Sequence, residues 1–317
     1  MKTIIITGGA GFLGSNLSKR LLSDGERVIC VDNLLTGREE NIKDLYSNPN
    51  FSFIKHDVTT PLPEDLKADA IFHLASPASP NHHSPVSYHA LPMETMMVNT
   101  KGTQLLLEHA AKNNASFLFT STSEIYGDPL VHPQTEEYRG NVSSIGPRSV
   151  YDEAKRFGET LTMYYAKQKN VNARIVRIFN TYGPNMSPFD MRMVVQFIQQ
   201  ALKNEPITIF GDGQQTRSLC FVDDLIEGLL LLMFKENTAG EVVNLGSTEE
   251  HTVEQYATII KRLTNSTSEI IFSEDLPKDD PLKRRPDITK AKELLGWEPR
   301  TSLEDGLNKL IAYVKVL

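Results

Sequence analysis

The sequence contains only two cysteines among 317 residues, Cys30 and Cys220, and each lies in an apolar segment. Two isolated thiols of this kind exclude a disulfide framework and a cysteine-based zinc site, and we expect no bound metal. The sequence also lacks any run close to the ~20 apolar residues that a membrane-spanning helix requires. No charged-then-apolar leader precedes the first apolar segment. We therefore expect a cytoplasmic protein that does not bind a membrane.

Basic residues are outnumbered by acidic residues, 33 to 40, which gives a formal net charge of −7 at pH 7. The pI of about 5.7 argues against nucleic acid or an anionic membrane as a partner. Hydrophobic content of 40% and charged content of 23% are typical of a globular protein. The length predicts about two domains. An acidic protein that binds an anionic ligand needs local cations, so its inward-facing arginines are informative.

The start of the sequence has the pattern of a nucleotide-binding turn. The β-branched run at residues 3–7 predicts a strand, and the apolar periodicity after the glycines predicts a helix. Between them, Gly8, Gly11 and Gly14 keep the spacing that allows a tight turn and a close approach of the backbone to a pyrophosphate. A glycine triplet alone is weak evidence for a nucleotide site. The strand, the triplet and the helix together predict a dinucleotide-binding site.

The next apolar run, 28–31, ends in Asp32, 18 residues after Gly14. A carboxylate at this position accepts hydrogen bonds from the ribose hydroxyls of NAD and repels the phosphate of NADP. The sequence therefore predicts NAD as the cofactor.

Two further segments carry groups suited to acid–base chemistry. Thr122, Ser123 and Glu124 follow a short apolar run that predicts a buried strand. Tyr151 and Lys155 open an apolar-periodic segment that predicts a helix, and residues four apart share one helix face. We expect the Lys155 ammonium to lower the pKa of Tyr151, so that the phenol takes a proton from an alcohol. A Tyr–Lys pair also fits an ordinary amphipathic helix, but the dinucleotide turn favours the catalytic interpretation.

With these two features the sequence resembles the extended short-chain dehydrogenase/reductases, the class that remodels nucleotide sugars. Within that class it is similar to the UDP-glucuronate decarboxylases, or UDP-xylose synthases, nearly from end to end. The segments that carry the resemblance are 73–80, 121–129, 132–134, 140–142, 151–153, 177–184, 211–213, 215–218 and 284–290.

The resemblance implies an α/β fold with a Rossmann-like, doubly wound parallel sheet and a smaller, discontinuous C-terminal substrate domain. We expect residues 1–180, plus about 219–247, to form an NAD-binding domain. Residues 181–218 and 248–317 would form the lobe that binds a nucleotide sugar. The resemblance also implies a homodimer, with a four-helix interface built from the helix over 93–111 and the helix that starts near Tyr151.

The resemblance assigns roles to individual residues as well. The expected catalytic residues are Thr122, Ser123, Glu124, Tyr151, Lys155 and Arg284. The expected NAD-binding residues are Gly8, Gly11, Phe12, Leu13, Gly14, Asp32, Asn33, Thr36, Gly37, Asp57, Val58, Leu74, Ser76, Asn99, Tyr151 and Lys155. The residues expected to bind the UDP-sugar are Tyr88, Asn180, Arg192, Phe210, Gln215, Arg217 and Arg284.

The residue after Thr122 distinguishes the relatives within this class. Related 4,6-dehydratases have an aspartate there that protonates the leaving hydroxyl, and Ser123 cannot act as that acid. Related 4-epimerases usually lack an acid at the position of Glu124. The combination fits the decarboxylases, in which oxidation at C4 places the C6 carboxylate β to a ketone, so that carbon dioxide can leave. Glu124 and Arg284 are then the candidates to deliver a proton to C5 and to hold the carboxylate.

Several alternatives stay open on the sequence alone. A UDP-hexuronate 4-epimerase or a nucleotide-sugar 4,6-dehydratase would share the fold, whereas a non-catalytic NAD sensor would typically have lost Tyr151 or Lys155. Arg284 also fits a surface ion pair with Asp279 or Asp280. The final hydride step is open too, since its return gives UDP-xylose and its loss leaves a 4-keto pentose.

The loop after residue 80 differs from the family pattern. It is longer, and Glu94 stands where a lysine is expected. His82, His83 and His89 lie in or just after this loop, without the spacing of metal ligands to a nearby acid. We expect them to be solvent-exposed loop histidines.

Overall fold

The computed structural model describes residues 1–277 and 280–317 of the chain. The strands are β1 (Thr3–Thr7), β2 (Arg27–Asp32), β3 (Phe51–Lys55), β4 (Ala70–His73), β5 (Ser116–Thr122), β6 (Ala173–Ile178), β7 (Thr181–Tyr182), β8 (Ile207–Phe210), β9 (Thr216–Ser218), β10 (Cys220–Phe221), β11 (Val242–Leu245), β12 (Glu250–Thr252), β13 (Ile270–Glu274) and β14 (Lys283–Arg284). The α-helices are α1 (Phe12–Ser23), α2 (Pro92–Met97), α3 (Thr103–Asn113), α4 (Ser149–Gln168), α5 (Met193–Lys203), α6 (Val222–Phe234), α7 (Val253–Thr264) and α8 (Leu303–Val314).

A parallel sheet of seven strands forms the centre of the fold, in the order β11-β6-β5-β4-β1-β2-β3. Ile4, Ile5 and Ile6 of β1 are completely buried, as expected of a central strand covered on both faces. After β3 the chain crosses back to place β4 on the other side of β1. Ligands of such sheets bind where the strand order reverses, outside the carboxyl ends of the strands. The sheet confirms the predicted Rossmann-like fold.

Helices cover both faces of this sheet. Helices α1 and α6 pack on one face, and α3 and α4 pack side by side on the other. The segment predicted as a single helix over 93–111 contains a π-helical turn, Val98–Gly102, between α2 and α3. A π-turn inserts an extra residue and re-aims the side chains around it, and here that turn contains Asn99.

The remaining elements form a smaller lobe above the carboxyl ends of the strands. It contains the parallel pair β8 and β13, the three-stranded sheet β12-β9-β14, and α5, α7 and α8. The apolar core beneath α1 and α6 continues into this lobe. Trp297 is 3% exposed and donates from Nε1 to the Asp224 carbonyl at 2.8 Å, so it anchors the lobe as a packing residue. Within the described residues, no helix has the length and apolar character needed to cross a bilayer.

Candidate functional site

A cleft of about 650 Å³ runs between the sheet and the lobe, and it collects the predicted site residues. Asn99 is the exception, because it does not line the cleft. Its Nδ2 donates to Ser76 Oγ at 2.9 Å and to the Thr95 carbonyl at 2.8 Å, behind the cleft wall. The structure therefore places Asn99 as a support for Ser76, whereas Ser76 itself lines the cleft.

At one end of the cleft the glycine turn between β1 and α1 is too crowded for side chains. Gly8 has φ +71°, and a Cβ added there would lie 2.7 Å from the backbone of Ala75. A Cβ on Gly14 would lie 2.2 Å from the carbonyl oxygen of Gly8. Helix α1 begins at Phe12 with no side-chain cap on Gly11. The first N–H groups of α1 therefore remain available to an anion.

Asp32 lies beside this turn, at the end of β2. Its Oδ1 accepts from the backbone N–H of Leu34 at 2.8 Å, and its Oδ2 accepts from that of Ala10 at 3.0 Å. A Cβ on Gly37 would lie 2.7 Å from Oδ1, so the 32–37 loop wraps closely around the carboxylate. Burial raises the pKa of Asp32, and the two backbone donors oppose that rise.

The rim next to Asp32 comes from the ends of β2 and β3. Asn33 Nδ2 donates to Asp57 Oδ2 at 3.3 Å, and Asp57 Oδ1 accepts from the Thr59 backbone N–H at 2.9 Å. Val58 is buried and also lines the cleft. These residues form a polar rim over an apolar floor, an arrangement that suits the edge and face of a bound base.

Tyr151 and Lys155 lie near the middle of the cleft, both on the first turns of α4. Lys155 Nζ donates to the Thr120 carbonyl at 2.7 Å and lies 5.8 Å from the centre of the Tyr151 ring. Burial lowers the pKa of Lys155 to about 7. Burial raises the pKa of Tyr151, and the hydrogen bond with Thr122 opposes that rise.

The expectation that Lys155 lowers the pKa of Tyr151 is therefore wrong for this arrangement. Lys155 Nζ is directed at the Thr120 carbonyl, and the desolvation of the buried phenol raises the pKa of Tyr151. Tyr151 instead has close neighbours on its ring and hydroxyl sides. Its ring stacks on that of Tyr88 with centroids 4.9 Å apart and planes 9° apart.

Glu124 lies beside this pair, in a short 3₁₀ turn that begins after β5. The turn is capped by Thr122, whose hydroxyl accepts from the Glu124 backbone N–H at 3.2 Å. The Glu124 carboxylate pairs with Arg284 Nη1 at 3.0 Å and with Arg148. Arg284 Nη1 also donates to Ser123 Oγ at 3.0 Å. The fold thus brings together the candidates predicted from two distant parts of the sequence.

Arg284 is buried and pairs with Glu124, and among the described residues it forms no ion pair with Asp280. Its side chain is 1% exposed, and its second terminal nitrogen donates to the Gly127 carbonyl at 2.8 Å. Asp280 pairs instead with Arg148 at 3.0 Å and with Arg217 at 2.8 Å. Asp279 lies outside the described residues.

The charges around Glu124 decide its protonation. Burial would raise its pKa, but the cations Arg148 and Arg284 outweigh burial and lower the pKa to about 2. Asp152, on α4, has its pKa raised to about 8 by burial and by the charge of Glu124. At neutral pH Glu124 is therefore ionised, whereas burial and the charge of Glu124 favour the protonated form of Asp152, which does not line the cleft.

Five predicted residues line the far end of the cleft: Asn180, Arg192, Phe210, Gln215 and Arg217. Arg192 Nη2 donates to the Ala78 carbonyl at 2.9 Å. Gln215 Nε2 donates to the Phe210 carbonyl at 2.9 Å, and its Oε1 has no partner among the described residues. This end combines two cations, an amide and an exposed ring face, which suits an anionic nucleotide.

The family model of the NAD dependent epimerase/dehydratase family matches residues 4–246. The chain belongs to this family. It is 51% identical over 308 residues to UDP-glucuronic acid decarboxylase 2 of Arabidopsis thaliana. The aligned region covers 97% of this chain and 67% of that protein. It is 49% identical over 314 residues to UDP-glucuronic acid decarboxylase 1 of Xenopus tropicalis. The aligned region covers 99% of this chain and 72% of that protein.

Among solved structures, this member of the family is similar to UDP-glucuronic acid 4-epimerase from Bacillus cereus in complex with UDP-glucuronic acid and NAD. The TM-score is 0.85, with 31% sequence identity and 99% of each chain covered. Together with the two decarboxylases, this likeness confirms the resemblance predicted from the sequence.

The family resemblance did not identify Arg148, which also lines the cleft. Arg148 caps the N-terminus of α4, pairs with Glu124 and Asp280, and lies 5.9 Å from the Tyr88 ring centre. A signal was present in the sequence. A cation at a helix N-terminus opposes the helix dipole, so an arginine three residues before Tyr151 needs a nearby anion to stabilise it.

Proposed function

We propose that this protein decarboxylates UDP-glucuronate with NAD as cofactor and produces UDP-xylose. The reaction would oxidise C4, release carbon dioxide, protonate C5 and return the hydride. The observation that carries the proposal is the buried Glu124–Arg284–Ser123 cluster beside Tyr151, in a chain 51% identical to a UDP-glucuronic acid decarboxylase. The reaction consumes one proton and releases the carboxylate carbon as carbon dioxide.

The glycine turn and Asp32 fit NAD. The positions of Gly8 and Gly14 leave space only for backbone, which a pyrophosphate can approach closely. Asp32 is a fixed carboxylate at the cleft wall, as recognition of ribose hydroxyls requires. When bound there, NAD supplies the acceptor for the hydride that leaves C4 and later returns.

The first step removes the proton of the C4 hydroxyl. We assign this role to Tyr151, with the adjacent Thr122 hydroxyl orienting the same oxygen. Burial favours the protonated phenol, so the base form requires additional positive charge nearby. Lys155, whose pKa is lowered to about 7, would be positioned by Thr120 to bind a cofactor hydroxyl.

The second step requires that the C6 carboxylate be held while its bond to C5 breaks. Arg284 suits this role, because its guanidinium is a planar fork and its Nε has no partner among the described residues. A substrate carboxylate on Arg284 would weaken the hold of Arg284 on Glu124 and add a negative neighbour. Both effects raise the pKa of Glu124 from about 2. Glu124 could then carry the proton that C5 receives.

The two related reactions fit these residues less well. Ser123 donates no acidic proton and is already bonded to Arg284 at 3.0 Å, so the acid that a 4,6-dehydratase requires is missing from that position. A 4-epimerase does not release the C6 carboxylate. It therefore does not require an acid such as Glu124 to protonate C5.

Comparison of two substrates tests the proposal. With NAD present, UDP-glucuronate should yield carbon dioxide and a nucleotide pentose, whereas UDP-glucose has no carboxylate to lose and should yield neither. Conversion of UDP-glucuronate to an isomer of unchanged mass would identify an epimerase. A dehydrated UDP-glucose product would identify a dehydratase.

The proposal divides the chain between two ligands. Residues 1–180 with about 219–247 would bind NAD, and residues 181–218 with 248–317 would bind the UDP part of the substrate. Asn180, Arg192 and Arg217 would hold the diphosphate and uridine, with Phe210 against the base and Tyr88 near the sugar. Arg217 supports this assignment, since its only ion-pair partner among the described residues is Asp280, which a diphosphate could replace.

The variant Asp32→Ala should weaken NAD binding and narrow the gap between NAD and NADP. The carboxylate that accepts from the ribose and repels a 2′-phosphate would be absent. Fluorescence titration of both cofactors measures the ratio of their dissociation constants. Asp24→Ala, on the exposed end of α1, is the matched control. An unchanged ratio in Asp32→Ala would mean that another residue, such as Arg38, selects the cofactor.

The variant Arg148→Gln should move the basic limb of the kcat–pH profile to higher pH, because Glu124 has to be protonated when it supplies the C5 proton. Glu124 is ionised down to about pH 2 because Arg148 and Arg284 outweigh its burial. With one cation removed, its pKa rises, and each unit of that rise gives a tenfold larger protonated fraction at pH values above the new pKa. Arg148→Lys keeps the charge and should shift the limb less. Superimposable profiles for the three proteins would show that Arg148 does not tune Glu124.

We also propose a homodimer formed through the helical segment 93–111, which spans α2 to α3, and α4. The support is that Phe157 and Tyr164 on α4 are 51% and 48% exposed, although both are large and apolar or aromatic. Sedimentation should show a dimer, and Phe157→Glu should shift it towards the monomer. Phe272→Glu, at an equally exposed position in the lobe, should leave the dimer intact. A wild-type monomer at all concentrations would contradict this interface.

A further inference from the structure

Three side chains from separate parts of the chain converge at the mouth of the cleft. His82 and His83 are consecutive in the loop between β4 and α2, and Glu274 ends β13. His83 Nε2 lies 3.3 Å from Glu274 Oε2, and His82 Nε2 lies 3.9 Å from the same oxygen. The two imidazole rings are only 4.0 Å apart. The three potential ligand atoms all lie within 4.8 Å of one another.

These separations fit a tetrahedral metal. Zinc binds imidazole nitrogen and carboxylate oxygen at about 2.0–2.2 Å, which places neighbouring ligand atoms about 3.3–3.5 Å apart. The 3.3 Å contact meets this value, and the 3.9 Å contact is only slightly longer. Two histidines and one carboxylate, with a fourth position open to water, form a donor set that zinc uses in proteins.

Hydrogen bonds of Asn81 fix the loop that carries the two histidines. Asn81 Oδ1 accepts from the His83 backbone N–H at 2.9 Å, and Asn81 Nδ2 donates to the Met191 carbonyl at 2.8 Å. Two adjacent side chains in an extended chain point in opposite directions, whereas this turn directs both rings to one side. The imidazole pair is therefore arranged before any ligand arrives.

The charges at this position also favour a cation. Among the described residues, Glu274 forms ion pairs with these two histidines and with no lysine or arginine. A carboxylate facing two imidazoles offers oxygen and nitrogen ligands to a metal, with no competing permanent cation among the described residues.

We propose that His82, His83 and Glu274 form a binding site for a divalent cation of the zinc class. Their sequence positions gave no sign of it, because Glu274 lies 191 residues from His83. His82 lines the cleft, and its ring lies 6.3 Å from that of Phe210. A bound cation fastens the 81–83 loop to β13, so the two chain segments that flank Phe210 move together.

Metal titration of the full chain, without an affinity tag and with NAD present, tests this site. Zinc should bind with one equivalent per chain in competition with a chromophoric chelator. Cobalt should give the intense visible absorption of a tetrahedral complex. His83→Asn and Glu274→Gln should each weaken zinc binding at least tenfold, because each removes one of three ligands.

His251→Asn is the matched control, because His251 pairs with Glu249 at 2.8 Å without a second histidine. It should leave the affinity and the cobalt spectrum unchanged. None of these readouts depends on turnover, so they are independent of the proposed reaction. Absence of a stoichiometric site, or equal binding by His83→Asn and wild type, would overturn the proposal.

Discussion

Replacing Tyr151 with phenylalanine should leave NAD binding intact and lower kcat by about 10²–10⁴-fold, the range for loss of an acid–base group. The ring would keep its stacking on Tyr88 at 4.9 Å, so the cleft should retain its shape. Only the hydroxyl beside Thr122 is lost. Without it, no group accepts the C4 proton as the hydride leaves.

A second tyrosine on the same helix provides the control. Tyr165 donates its hydroxyl to Glu108 at 3.3 Å near the surface, and Tyr165→Phe should turn over at the wild-type rate. Cofactor titration and steady-state kinetics on both variants separate binding from catalysis. Substantial activity in Tyr151→Phe would remove Tyr151 from the base role.

Glu124→Gln and Arg284→Lys should form product about 10²–10⁴-fold more slowly while still binding NAD and UDP-glucuronate. The glutamine keeps the shape of Glu124 but cannot carry a proton. The lysine keeps the charge of Arg284 but loses the fork that contacts Ser123, Gly127 and Glu124 together. Both residues serve the steps after hydride transfer, so oxidation at C4 should be less affected than the loss of carbon dioxide and the protonation of C5.

Rapid mixing with detection of reduced cofactor absorbance distinguishes these steps. In both variants we expect reduced cofactor to accumulate before product appears. Glu153→Gln, on the exposed side of α4, is the control for a neutral substitution nearby. An epimerase would tolerate Glu124→Gln, and product formation at the wild-type rate would show that the acid is another residue.

The sequence predicted the parts of this molecule that depend on local pattern. Gly8, Gly14 and Asp32 belong to one strand–turn–helix–strand unit, and their spacing along the chain sets their geometry. Tyr151 and Lys155 are fixed in the same way by one helix turn. Arg284 could be placed only through the family motif, because it meets Glu124 across the whole fold.

The missed features arise from contacts between distant segments. Arg148 meets its partners Glu124 and Asp280 only in the folded chain, and Glu274 meets His83 only because the lobe brings β13 to it. The pKa of Tyr151 was predicted in the wrong direction for a related reason. The spacing predicts the proximity of Lys155, but not the burial that raises the pKa of Tyr151 or the Thr120 carbonyl to which Lys155 donates.

The most direct test of the account uses UDP-glucuronate that carries deuterium at C4, incubated with the protein and unlabelled NAD. If C4 is oxidised, carbon dioxide leaves and the same hydride returns, the mass spectrum will show a UDP-pentose that lacks the carboxylate and retains the deuterium. A hexuronate product with its carboxylate intact would contradict decarboxylation. A pentose without deuterium would contradict the return of the hydride.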